Sequence, residues 1–156
     1  MDNLIDQEYY MKKALELAQV AYDNNEVPVG ALVVHQDRLI GRGRNMIEEL
    51  NDPLAHAEII AIREAVINYG HKHLYDCSIF VTLEPCSMCA GAMVLARIKD
   101  LHYAASDLKT GAAGSVVQIT SNKKFNHRLN IHSGILEKES SQLLKSFFKN
   151  VREKNA

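Results

Sequence analysis

Apolar residues fall at Met11, Ala14, Leu15, Ala18 and Tyr22, the i, i+3, i+4, i+7, i+11 rhythm of one helical face. This spacing predicts an amphipathic helix over about Gln7 to Asn24, with Asp6 as its N-cap. Pro28 then opens a β-rich run, Val29 to Val34. The polar group His35-Gln36-Asp37-Arg38 separates that run from Leu39 and Ile40, which reads as a hairpin. Asn51-Asp52-Pro53 marks a turn and a helix start, after which Ala55, Ile59, Ile62 and Val66 repeat at helical spacing until Tyr69-Gly70. His56 is therefore expected in that helix's first turn. Ser78 to Leu83 is a strand ending before Pro85, Cys86 to Arg97 a second buried helix, and Leu101 to Ala105 another strand.

Ser106 to Ser115, with two glycines, is a loop long enough to carry function. A weak strand is expected around Val116 to Ile119 or Ile131. From Leu136 onward, Leu143, Leu144, Phe147, Phe148 and Val151 form the apolar side of a terminal helix. The order hairpin, helix, strand, helix, strand, helix implies an α/β/α sandwich: a mostly central sheet with crossover connections and helices over it. Ligands in such folds bind beyond the carboxyl ends of the strands, where the helix starts bearing His56 and the cysteines can converge.

Composition narrows the class. At 156 residues and 47% hydrophobic content, one domain over 1–156 is expected, with neither repeat nor linker. No apolar run is long enough to cross a bilayer, and Met1-Asp2-Asn3 lacks the start of a signal peptide. A soluble, cytoplasmic protein with no membrane association is the expectation. The formal net charge of -1 hides a gradient: residues 122 to 156 hold eight Lys/Arg against three Asp/Glu (+5), and the remainder ten against sixteen (-6). The basic end suits an anionic partner.

The chemistry lies in His56-Ala57-Glu58 and Pro85-Cys86-Ser87-Met88-Cys89. Cysteines three apart on a first helical turn share a face, and helix N-termini favour their thiolates, so with His56 they make a zinc ligand set with one position open to water. Glu58, two residues past His56, can take that water's proton without being a ligand. A lone Cys-x-x-Cys also suits redox work, but the accompanying His-Ala-Glu favours metal. Cys77 begins the strand that ends near Leu83, roughly 20 Å from the site, and reads as a buried apolar thiol rather than a fourth ligand. Glu84, just before Pro85, is a weaker candidate than Glu58 for that proton transfer and reads rather as a helix-entry carboxylate or one that orients a neighbour. His35, His71, His73, His102 and His132 read as surface or packing residues.

H-x-E followed by P-C-x-x-C is itself the standard signature of zinc nucleobase deaminases, so this step matches a known pattern. Glu26-Val27-Pro28-Val29-Gly30, Asn45, Asp52-Pro53, Ala55-His56-Ala57-Glu58, Thr82 to Ala92, Asp107 with Lys109 to Ser115, and Phe125-Asn126-His127 resemble the bacterial tRNA-specific adenosine deaminases from the first helix to the last. The resemblance implies a cytidine-deaminase-like fold with a five-stranded mixed sheet and helices on both faces. It also implies a homodimer that hydrolyses the wobble adenosine of arginine tRNA with an ACG anticodon to inosine. It assigns one zinc ion per subunit to His56, Cys86 and Cys89 and the proton shuttle to Glu58.

The same resemblance gives Val29 and the Ala57 backbone the base slot, Asn45 a hydrogen bond to the target nucleotide, and Asp107 a place near ribose hydroxyls. Taken alone, Asn45 reads as a turn residue and Asp107 as a solvated loop acid. One of Phe147 and Phe148, with Phe148 preferred, is given to stacking on splayed anticodon bases, although aromatic residues on a terminal helix also suit a core. Lys109, Lys123, Lys124, Arg128, Lys149 and Arg152 are candidate phosphate contacts for the anticodon stem-loop. The runner-up is a zinc deaminase of a free base or nucleoside. A zinc-stabilised binding module is third and is disfavoured by Glu58.

Overall fold

The computed structural model describes residues 4–155, with side chains from Gln7 onward. Its elements run α1 (Leu4–Asp23), β1 (Gly30–His35), β2 (Arg38–Arg44), α2 (Ile47–Leu50), α3 (Ala57–Tyr69), β3 (Cys77–Leu83), α4 (Ser87–Leu95), β4 (Asp100–Ala105), β5 (Asn130–Ser133) and α5 (Glu137–Lys154). The strands form one sheet in the order β2-β1-β3-β4-β5. β1 is antiparallel to both β2 and β3, whereas β3, β4 and β5 are mutually parallel. This is the expected five-stranded mixed sheet, and two apolar clusters on its faces make three layers. One cluster joins Val33, Ile79, Val81 and Leu101 to Ala61, Ile62, Met93 and Val94 of α3 and α4. The other joins Leu32, Phe80 and Ala104 to Tyr10, Met11 and Ala14 of α1.

Local chemistry explains the joints. The hairpin turns on Gln36 and Asp37, both at positive φ (48° and 61°), the geometry that matches the twist of paired strands. α3 lies so close to β2 that a Cβ on Gly43 would sit 2.0 Å from the Ala57 carbonyl oxygen, and one on Gly41 2.2 Å from that of Ala61. Glycine is required there, and α3 accordingly turns Ala57, Ala61 and Ala65 to the sheet. The expected repeat of Ile59, Ile62 and Val66 also packs on this core, at its margin rather than at the closest approach. Ile62 is buried, but Ile59 and Val66 flank the contact, because only alanine permits so close an approach.

Two other expectations shift and two are made specific. α1 already runs from Leu4, so Asp6 lies within the helix rather than capping it. Asn51-Asp52-Pro53 is a turn after the short α2, and α3 starts only at Ala57. The weak strand is the one around Ile131; Val116 to Ile119 contributes a single bridge, Ala113 with Gln118. α5 exists as expected, but its apolar side is only partly covered: Ser140 is its buried residue, while Phe148 remains 43% exposed. Among the described residues, no helix is long and apolar enough to cross a membrane.

Candidate metal centre

The strand ends and helix starts meet at the carboxyl edge of β3. His56 and Cys86 are the N-cap residues of α3 and α4, both extended (φ -75°, ψ 150° and φ -72°, ψ 175°), rather than residues of the first turns. Cys89 lies within the first turn of α4 and is fully buried. His56 Nδ1 is 3.6 Å from Cys86 Sγ and 3.5 Å from Cys89 Sγ. Bond lengths of about 2.3 Å to sulfur and about 2.0–2.1 Å to nitrogen at a tetrahedral angle put such atoms about 3.6 Å apart. The histidine nitrogen therefore stands from each sulfur at the spacing a tetrahedral metal imposes, all three atoms lie within 4.8 Å of one another, and the group can hold a metal ion.

The electrostatics fit that donor set. Hydrogen bonds from Cys89 and His56 push the Cys86 thiol down to about 4, toward the thiolate a metal binds. Cys89 is driven the other way by its hydrogen bond to Cys86 and by burial. His56 is raised, chiefly by its hydrogen bond to Cys86. Glu58, 4% exposed, has its carboxyl pushed up to about 7, mainly by burial, with the Cys86 thiolate adding to it. A dication beside these groups would pull all of them toward their deprotonated forms. Cys77 is buried, its thiol raised to about 11 by desolvation, and it stands outside the metal group.

Val29, Asn45 and Ala57 form a chain of contacts at the metal site. Asn45 N–H donates to the Val29 carbonyl (3.2 Å), and Ala57 N–H donates to Asn45 Oδ1 (2.9 Å). Asn45 thus satisfies an orphan amide at the start of α3, a task an N-cap histidine leaves undone, and its amide NH₂ end remains as a donor. Asp107, Lys109 and Phe148 are placed elsewhere. They line a cleft of about 640 Å³ between the loop after β4 and α5, together with Val27, Leu83 and Arg152. Asp107 Oδ1 accepts the amides of Lys109 (3.0 Å) and Thr110 (3.1 Å), and its Oδ2 accepts the Thr110 hydroxyl (2.8 Å), so this acid shapes its own turn. Phe147 packs edge-on against Tyr22, which leaves Phe148 as the aromatic residue of the cleft.

Two buried carboxylates lie outside the expected site. Glu26 accepts the amides of Glu48 (3.1 Å) and Glu49 (2.9 Å) and so caps α2. Glu84 orients a neighbour, as expected, and that neighbour is the loop after β4. A lone acid carries no periodic signal, so only long-range contacts reveal such a role.

A sandwich of this topology with a His/Cys/Cys group and a buried glutamate at two helix starts defines a class: a hydrolytic deaminase of the cytidine-deaminase-like fold. The chain matches the MafB19-like deaminase family model over residues 5–152. Proteins named tRNA-specific adenosine deaminase share 46% identity over 145 residues in Rickettsia bellii (92% of this chain, 100% of the relative). They share 45% in Aquifex aeolicus (93% and 95%), and 40% over 152 residues in a Streptococcus pyogenes M18 strain (97% and 96%). The chain belongs to the tRNA-specific adenosine deaminase family. A solved tRNA:A34 deaminase, studied for A-to-I editing at the wobble position of transfer RNA, superposes with a TM-score of 0.84 at 43% identity, over 87% of this chain and 99% of that one. A guanine deaminase from Nitrosomonas europaea superposes with a TM-score of 0.75 at 23% identity (90% and 83%), a likeness of fold alone.

Proposed function

We propose that this chain is one zinc-dependent deaminase domain that converts the wobble adenosine of arginine tRNA with an ACG anticodon to inosine, as a cytoplasmic homodimer. The observation that carries this reading is the convergence of His56, Cys86 and Cys89 beside buried Glu58, in a chain of this family. His56 Nδ1 and the two sulfurs would hold the zinc ion, which when bound supplies a Lewis acid that makes water nucleophilic near neutral pH.

Glu58 takes one proton of the attacking water and delivers it to the purine ring nitrogen; it then takes the second from the new C6 hydroxyl and passes it to the amine, which leaves as ammonia as the carbonyl forms. Val29 and the Ala57 backbone bound the base slot, and the Asn45 amide donates to the nucleotide while its Oδ1 stays on Ala57. Phe148 stacks on a splayed anticodon base, Lys109 meets phosphate, and the remaining lone pairs of Asp107 face a ribose hydroxyl.

The test offers purified protein unmodified arginine tRNA, free adenosine, cytosine and guanine in parallel, reading inosine in the tRNA and released ammonia. Inosine in tRNA alone is expected. Ammonia from a free base without inosine in tRNA would replace this reading with a free-base deaminase.

A further inference from the structure

Glu84 is 2% exposed, has no cation within ion-pair distance among the described residues, and uses both carboxylate oxygens as acceptors. Oε1 accepts the Asp107 amide (3.1 Å) and the Ser115 hydroxyl; Oε2 accepts the amides of Ala113 (3.0 Å) and Ser115 (3.1 Å). One side chain thus ties the start of the loop at Asp107 to its end at Ser115. Gly111 closes the packing, since a Cβ there would meet the Glu84 carboxyl carbon and the Asp107 carbonyl, each at 2.4 Å. The loop is also pinned to the metal-bearing segment, because Ala112 N–H donates to the Pro85 carbonyl (2.8 Å), one residue before Cys86.

We infer that Glu84 is a positioning residue: its carboxylate sets the Asp107–Thr110 rim of the cleft at a fixed height relative to the metal centre, and so governs how tightly the substrate is held rather than how fast it reacts. The functional half of this inference rests on the tRNA reading above. A buried carboxylate bonded only to backbone amides and one hydroxyl makes no use of its charge for an ion pair, so its value lies in the loop it organises.

Glu84→Gln tests the chemistry with little change of volume. An amide has one acceptor oxygen. Placed at Oε2 it keeps Ala113 and Ser115, whose backbone donors cannot rotate, while its NH₂ faces the Asp107 amide and breaks that tie. The expected result is a KM for tRNA raised about tenfold, the size of one lost hydrogen bond to a charged group, with kcat within about twofold and zinc content unchanged. Amide hydrogen exchange should quicken over 106–115 and stay unchanged over α4.

Ser115→Ala, which removes one of the four contacts, should raise KM about threefold and decides the matter if the first variant does not fold. An unchanged KM in folded variants, or a matching loss of zinc and of protection throughout the chain, would overturn the inference. Absence of tRNA deamination by the unaltered protein would instead refute the functional reading, and the exchange measurement would still decide whether Glu84 holds the loop.

Discussion

The metal centre and the cleft beside α5 are built on opposite plans. At the metal centre Cys89 is fully buried and Glu58 nearly so, and three ligand atoms lie within 4.8 Å of one another. Around the cleft, Phe148 is 43% and Leu108 82% exposed, and α5 presents a half-covered apolar side. Reacting groups gain from rigid, water-poor surroundings, because fixed dipoles cost no reorganisation during the reaction. A surface that receives a flexible nucleic acid needs reach, charge and stacking area instead. One short segment joins the two plans: Glu84 holds the loop, Pro85 accepts an amide from it, and Cys86 belongs to the metal group.

The sharpest break of this contrast is at the metal end. Glu58→Gln keeps the ligand trio intact while removing the base, so zinc content should remain at the unaltered value and turnover should fall by about 10²–10⁴-fold in a saturating assay. Normal turnover in that variant would end the shuttle assignment. Cys86→Ala attacks the ligand set itself. Zinc measured after dialysis should drop with activity, and a zinc-to-protein ratio equal to that of the parent would remove Cys86 from the site.

At the cleft the expected effects are smaller and of another kind. Replacing Lys109 and Arg152 by Ala should weaken tRNA binding about tenfold and flatten the slope of log affinity against log salt by about two, with kcat nearly unchanged. An unaltered slope would show that neither side chain meets phosphate. Together these variants test whether chemistry and grip reside in separate regions.

Much of the architecture was legible because it rests on short-range rules. The β-rich run Val29 to Val34, the polar turn at Gln36-Asp37 and the stop at Gly70 each follow from backbone preferences of neighbouring residues. In α3 the same rule found the bulky Ile59, Ile62 and Val66 that pack on the core and left out the closest contact, which Ala57 and Ala61 make because Gly41 and Gly43 sit opposite. That pairing joins residues 14 to 20 positions apart, and no local rule relates them. The preference for Phe148 over Phe147 likewise has its physical ground in Tyr22 of α1, which packs against Phe147.

Ligand chemistry is a property of residue types and of helical pitch, so His56, Glu58, Cys86 and Cys89 could be named as a hydrolytic metal set from their order alone. Their convergence is a matter of topology: antiparallel β1 and parallel β3 and β4 bring two helix starts thirty residues apart to one edge. The work of Glu26, Asn45 and Glu84 was decided only in three dimensions. A buried acceptor bonds whichever amides the fold delivers to it, and those amides belong to residues whose side chains have no part in the choice.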